Sequence, residues 1–315
     1  MVPSGRYFSR TCDTGESFNQ CEQMVPQVKE CRLDCDVVTR DSAVNNGHVR
    51  DCAIIFFPAD HSYILHPRTP WATPFPLSVT DVWTRYFTPF DAHTTIETHY
   101  QSWKNNEHHK YYNFIVVCQK EGLTDDETKE KLWLHWEKMG LDASNKGTEM
   151  HRNIELALGG EVYDASSLEM QMFHSFVCNE LVERQWKVYR LEWSIYCTEA
   201  MVAGQVDAIF VDSSMKYHMV DWKRSKQALH AEANSEFNRV GKAPFQELWD
   251  SAFGHYTVQQ NLYAVILKRR YYLELESMWL VRLYPENGSS TYEIIDVPDW
   301  KDAAGTVLND IASRR

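Results

Sequence analysis

Hydrophobic and polar positions change their period twice along the chain. Residues 1 to about 45 show no period and read as an irregular arm. Two short apolar runs follow, Ala53-Ile54-Ile55-Phe56-Phe57 and Ser62-Tyr63-Ile64-Leu65, with Pro58 and Asp60 between them, which predicts two strands joined by a turn. Pro67, Pro70, Pro74 and Pro76 then mark an irregular crossing. From Leu77 the pattern is helical. Thr124-Asp125-Asp126-Glu127 forms a capping box, and the helix it opens carries Leu132, Trp133 and Trp136 and is predicted to stop at Gly140. Another helix is predicted from near Gly147 through Leu158. A third, Leu168 to about Arg184, presents Met172, Phe173, Phe176 and Val177 as a buried stripe.

Beyond Arg184 the period falls to two. Val188–Cys197, Gln205–Val211 and Tyr217–Trp222 are rich in β-branched and aromatic residues and predict three consecutive strands. A helix from about His255 to Leu267 comes next, then strands within Tyr271–Tyr284 and Tyr292–Val297. This order predicts an α/β domain over residues 46–315, with a helical part at about 77–185 and a mixed sheet with a late helix at about 186–300.

Composition narrows the function. At 315 residues and 43% hydrophobic content the chain can bury a sizeable core. Its start lacks the apolar core of a secretory signal, and no apolar run approaches a membrane span, so the expectation is an intracellular protein without a membrane partner. Cys12, Cys21, Cys31 and Cys35 cluster near the start without the two-residue gap of a zinc knuckle, and reduced thiols are the simpler reading. Zinc there, recruiting a protein partner through the arm, is the alternative. A net charge of −12 disfavours broad, salt-driven coating of nucleic acid. Positive charge nonetheless gathers locally at Lys216, Lys223, Arg224, Lys226, Arg239 and Lys242, then at Lys268, Arg269 and Arg270; a local basic groove and a solvated face fit this equally.

Candidate chemistry converges on the strands. Asp207 precedes Asp221-Trp222-Lys223 by fourteen residues. Strand alternation points Asp221 and Lys223 to one face and Trp222 to the other, with Asp207 within reach on the neighbouring strand. Two close carboxylates repel unless a cation sits between them, and hard oxygen ligands favour magnesium or manganese. A strand edge with alternating charges gives the same D-x-K pattern, but the apolar approach His218-Met219-Val220 favours a buried strand delivering charge at its end. Upstream, His151 and Glu155 share a helix face. Later, Gln259 and Tyr263 lie one turn apart on a face that could contact nucleic acid, but packing of Tyr263 with Leu262 and Ile266, with Gln259 solvated, is the commoner source of such a pair.

Taken in order, these motifs resemble the RecB-like branch of the PD-(D/E)XK nucleases. Gly147, His151 and Glu155 match G-x-x-x-H-x-x-x-E; Gly204 and Asp207 match G-x-x-D; Asp221 and Lys223 match D-x-K; Gln259 and Tyr263 match Q-x-x-x-Y. The resemblance implies a restriction-endonuclease-like core. In it His151, Asp207, Asp221 and the Trp222 carbonyl would bind Mg2+ or Mn2+, and Lys223 would be catalytic. Gln259 and Tyr263 would touch DNA, with Arg224 and Lys226 beside them, and Glu155 and Glu192 would be further acidic candidates. Asp221-Trp222-Lys223-Arg224-Ser225 is similar to the mitochondrial genome maintenance exonucleases. A wider likeness, through Ser78-Val79-Thr80, Tyr86–Ala92, Phe253–Tyr256 and Gln260–Tyr263, resembles RecB-like domains of large viruses, mobile elements and protists, extends from about residue 60 to the end and leaves the arm outside. No cysteine follows Cys197, so an iron–sulfur cluster of the AddB type is not expected, and no phosphate-loop motif implies an ATP-driven motor. The expected activity is Mg2+-dependent hydrolysis of DNA, single-stranded or with free ends, as an exonuclease. Its rivals are an RNA endonuclease on the same scaffold and a catalytically silent nucleic-acid-binding module.

Overall fold

The computed structural model describes residues 30–33, 35–230, 239–285 and 291–315. The part of the arm with Cys12 and Cys21 lies outside the described residues. Two compact units divide the chain, Met1–Thr88 with Glu149–Arg315, and Pro89–Thr148.

Two short helices, α1 (Ser42–Asn45) and α2 (Val79–Thr84), belong to the larger unit; the smaller unit is helical, and α3 (Ala92–Lys104), α4 (Tyr112–Lys120) and the first half of α5 (Asp125–Leu158) surround Ile96, Tyr100, Trp103, Ile115 and Leu132. The capping box is formed as predicted. Thr124 Oγ1 accepts from the Glu127 N–H at 3.3 Å, and the Glu127 carboxylate accepts from the Thr124 N–H at 2.8 Å. Gly140 does not stop this helix. A glycine ends a helix by adopting positive φ, and neither Gly140 nor Gly147 does so. The stop is Gly160, at φ 74°, where the Glu161 N–H returns to the Leu156 carbonyl at 2.8 Å. His151 and Glu155 therefore lie in the body of α5 instead of opening a helix. The predicted helical part, 77–185, is correspondingly divided, since 89–148 forms one unit and 149–185 belongs with the sheet.

The larger unit is α/β, with a mixed sheet flanked by helices. A hairpin of β1 (Ile54–Phe57) and β2 (Ser62–Leu65), extended by β3 (Thr73–Pro74), forms a small separate sheet. In the main sheet, β5 (Lys187–Cys197), β6 (Val202–Val211) and β7 (Tyr217–Lys223) run antiparallel as the alternation predicted. Then β8 (Leu275–Arg282) adds in parallel to β7, and β9 (Glu293–Asp296) closes that edge. On one face α7 (Ala252–Ile266) and α8 (Lys301–Ser313) cover Val206, Ile209, Met219 and Leu280. On the other, the end of α5 and α6 (Leu168–Phe176) cover Phe210, Val220 and Trp222, with Met172, Phe173, Phe176 and Val177 buried as expected. The arm joins this second layer from Cys31 onward: Cys31 exchanges both backbone hydrogen bonds with Tyr163 at 3.0 and 3.1 Å, and Val37 is buried.

A fork in the main sheet determines where the chemistry lies. Two-residue β4 (Leu77–Ser78) pairs with β6 as far as Ala203, and β7 pairs with β6 only from Ala208. Between them Gly204–Asp207 has no ladder partner on that edge. Tyr263 of α7 fills the approach to the fork, and a Cβ on Gly204 would lie 2.5 Å from its ring. Gly204→Ala is therefore expected to lower stability by about 1–3 kcal/mol through displacement of Tyr263. Gly140→Ala, on an exposed helix with no neighbour within 4 Å of its Cβ, is expected to raise it by about 0.5–1 kcal/mol. Urea unfolding of the two variants checks both signs.

Candidate metal centre

Three carboxylates and one imidazole meet at the fork. The last β6–β7 pair is Ala208↔Val220, so Asp207 and Asp221 are the next opposed positions. The two antiparallel pairs Leu191↔Ala208 and Trp193↔Val206 likewise set Glu192 against Asp207 on the other side of β6. Glu192 adopts φ 43°, an uncommon left-handed backbone inside a strand, and the Gln205 side chain donates to its carbonyl at 3.1 Å. From α5, His151 Nδ1 approaches Asp207 Oδ2 to 3.4 Å. One ligand atom each from His151, Glu192 and Asp207 lies within 4.8 Å of the others, the spacing of groups able to hold a cation. Among the described residues this is the one such group, and it contains neither Cys31 nor Cys35.

Asp207 also accepts from the Trp222 N–H at 2.9 Å, substituting for the ladder that ends one residue earlier. Asp221 is buried at 3% exposure. Its Oδ1 accepts from Gln260 Nε2 at 2.8 Å, and its Oδ2 lies 2.5 Å from Lys223 Nζ. Lys223 is further enclosed by the ring of Tyr256, 4.5 Å from the ammonium. Trp222 points into the opposite layer between Phe173 and Phe176, as strand alternation requires.

Crowding is visible in the proton affinities. Burial, and then the Asp207 charge, push Asp221 up to about 6, against attraction from Lys223. Glu192 rises well above the carboxylate range through burial and the charges of Asp207, Glu155 and Asp221. Burial works against the Lys223 ammonium, but Asp221 and Asp207 outweigh it and hold the lysine above its ordinary range. The set has one lysine among its acids.

Other expected site residues lie elsewhere. Glu155 follows His151 by one turn at the exposed edge and is not in the closely spaced group. Tyr263, assigned by the resemblance to DNA contact, is 4% exposed and lies beneath the site instead of on its rim. Gln259 is half-buried, donates to the Tyr263 hydroxyl at 3.4 Å and leaves its Oε1 without a partner. Arg224 pairs with Glu169 at 2.7 Å, while Lys226 is exposed on a loop whose carbonyl accepts from buried Arg282 at 3.2 Å. In the downstream basic run Lys268 and Arg269 are exposed, as a solvated face would have them, with Lys268 paired to Glu274, Arg270 to Glu199, and Arg269 bonded to Asn309. Gln260 and Tyr256 lie in the segments of the wider likeness but received no individual role from the sequence. Each adjoins a residue that was considered, and only the helix's placement against β7 selects between neighbours.

No profile of a known protein family matches the chain, and no curated protein matches it in sequence. Among solved structures, one titled "Crystal structure of SSO0001" aligns with 47% of this chain and 58% of that one, at 13% identity and a TM-score of 0.24, a likeness too slight to bear on fold or function. No helix among the described residues is long and apolar enough to cross a membrane.

The raised carboxyl of Asp221 has a definite sign for stability. The unfolded chain releases this proton near pH 3.8 and the folded chain near 6, so between those values the folded state holds more protons and loses stability as pH rises. In chelator, thermal and urea unfolding should show a fall of up to about 3 kcal/mol across that window. Asp221→Asn should flatten it; parallel curves for variant and wild type would contradict the assignment.

Proposed function

We propose that this chain is a divalent-cation-dependent nuclease on a PD-(D/E)XK core of the RecB-like type, hydrolysing DNA phosphodiesters on single strands or at ends. The observation that carries the reading is the convergence of His151, Glu192 and Asp207, with Asp221 opposite Asp207 and Lys223 on Asp221. These residues come from a helix and three strands, in the order of the motifs that prompted the resemblance.

Magnesium fits this donor set. Oxygen donors predominate, the single imidazole is compatible, and the mutual repulsion that raises Asp221 and Glu192 is what a divalent cation relieves. His151, Glu192, Asp207 and Asp221 would hold it. Bound there, the cation supplies Lewis-acid stabilisation of the charge that builds on the phosphoryl oxygens. Lys223, whose ammonium is favoured by its two acidic neighbours, would donate to a phosphoryl oxygen or orient the attacking water. Tyr256 confines the ammonium to that position. The expected DNA contacts at Arg224 and Tyr263 are replaced in this reading by support roles, and Lys226 remains the exposed cation beside the strand end.

End-labelled single-stranded and duplex DNA, incubated with Mg2+ or in chelator, tests the reading. Wild type should cut only with metal, and Lys223→Ala should be slower by about a hundredfold or more. A ladder from one end identifies an exonuclease. Cleavage of RNA alone would favour the ribonuclease alternative, and binding without cleavage in Mg2+ or Mn2+ would favour the silent module.

A further inference from the structure

Gln260 stands apart among the polar residues of the larger unit. It is fully buried at 0% exposure, on the face of α7 that meets β7, and its Nε2 donates at 2.8 Å to Asp221 Oδ1. Its Oε1 has no partner. A buried primary amide with one oxygen unsatisfied is an expensive way to fill a core position, since a leucine or methionine of similar volume would avoid the desolvation. Such a residue is retained where its directed donor does something that packing cannot.

Asp221 shows what the donor does. This carboxylate can rotate about its terminal torsion, and two partners fix it: Gln260 on Oδ1 and Lys223 on Oδ2. Lys223 is flexible and carries a charge that the proposed chemistry engages. Gln260 is neutral and fully buried on a long helix, with its amide directed at Asp221. Gln259 is the residue that matches the Q-x-x-x-Y pattern, yet it bonds Tyr263 and not a carboxylate.

We infer that Gln260 is a positioning residue, whose amide holds one oxygen of Asp221 so that the other faces the fork and the cation the cluster would bind. This rests on the reading of Asp207 and Asp221 as cation-holding carboxylates. Groups that orient a ligand in this way typically contribute tenfold to a hundredfold in metal affinity.

A double-mutant cycle read by Mn2+ binding, through calorimetry or the loss of the free-ion electron paramagnetic signal, tests it on the full chain. Gln260→Met should weaken Mn2+ binding about tenfold or more. In an Asp221→Asn background the same substitution should change affinity less than about twofold, because its effect runs through the carboxylate. Unchanged affinity in Gln260→Met, or an equal loss in both backgrounds, overturns the inference. If Gln260→Met does not fold, Gln260→Leu enters the same cycle under the same criteria. Wild type that binds no Mn2+ fails the metal reading itself, whereas wild type that binds it and a variant that binds it equally well fail only the role of Gln260.

Discussion

Repulsion among buried carboxylates is the constraint around which this unit is built. Asp207, Asp221 and Glu192 share a pocket whose low polarity strengthens every charge–charge interaction, with Glu155 adding its charge from the edge. One ammonium, Lys223, cannot neutralise them, and the two carboxyls most affected, Asp221 and Glu192, are shifted to hold their protons to higher pH. A fold selected for stability alone has no use for such a cluster, because apolar residues of similar size would pack there without the penalty. The strained backbone of Glu192 points the same way, since a left-handed glutamate inside a strand persists only where surrounding structure enforces it.

The sheet supplies that enforcement by interruption. Because β4 and β7 flank β6 without meeting, Gly204–Asp207 lacks a partner along one edge, and side chains take over roles the ladder leaves open. Asp207 receives the Trp222 N–H, and Tyr263 fills the space left by the missing Cβ of Gly204. Trp222, locked between Phe173 and Phe176, fixes the rotation of β7 and hence the direction of its two charged neighbours. Position in the core and chemistry at the fork are thus set by the same alternation.

Much of this was legible in the sequence wherever local pattern and tertiary environment agree. The antiparallel run from Lys187 to Lys223 and the buried stripe of α6 follow from periodicity, and the apolar approach to Asp221 did announce a buried charge. Gly140 misled because glycine composition signals a helix end only when the backbone needs positive φ, and that need arises at Gly160. Tyr263 was misplaced because a motif records which residues recur together and not whether one lies under or over another. Gln260 and the pairing of Lys268 and Arg270 were illegible for a related reason: their partners, Asp221, Glu274 and Glu199, are fixed by strand register and loop geometry. Glu192 was named as a further acidic candidate through the resemblance, but its place opposite Asp207 follows from antiparallel pairing around the Cys197–Val202 turn, for which the register had to be known.

The proposed nuclease activity requires the fork to bind a divalent cation through these particular side chains. Anomalous diffraction from crystals soaked in Mn2+ locates such an ion directly. A peak within coordinating distance of His151, Glu192 and Asp207, lost in Asp207→Asn crystals, is the result this account predicts. Well-ordered carboxylates at the fork with no anomalous density, at a Mn2+ concentration that loads other sites on the molecule, would contradict it.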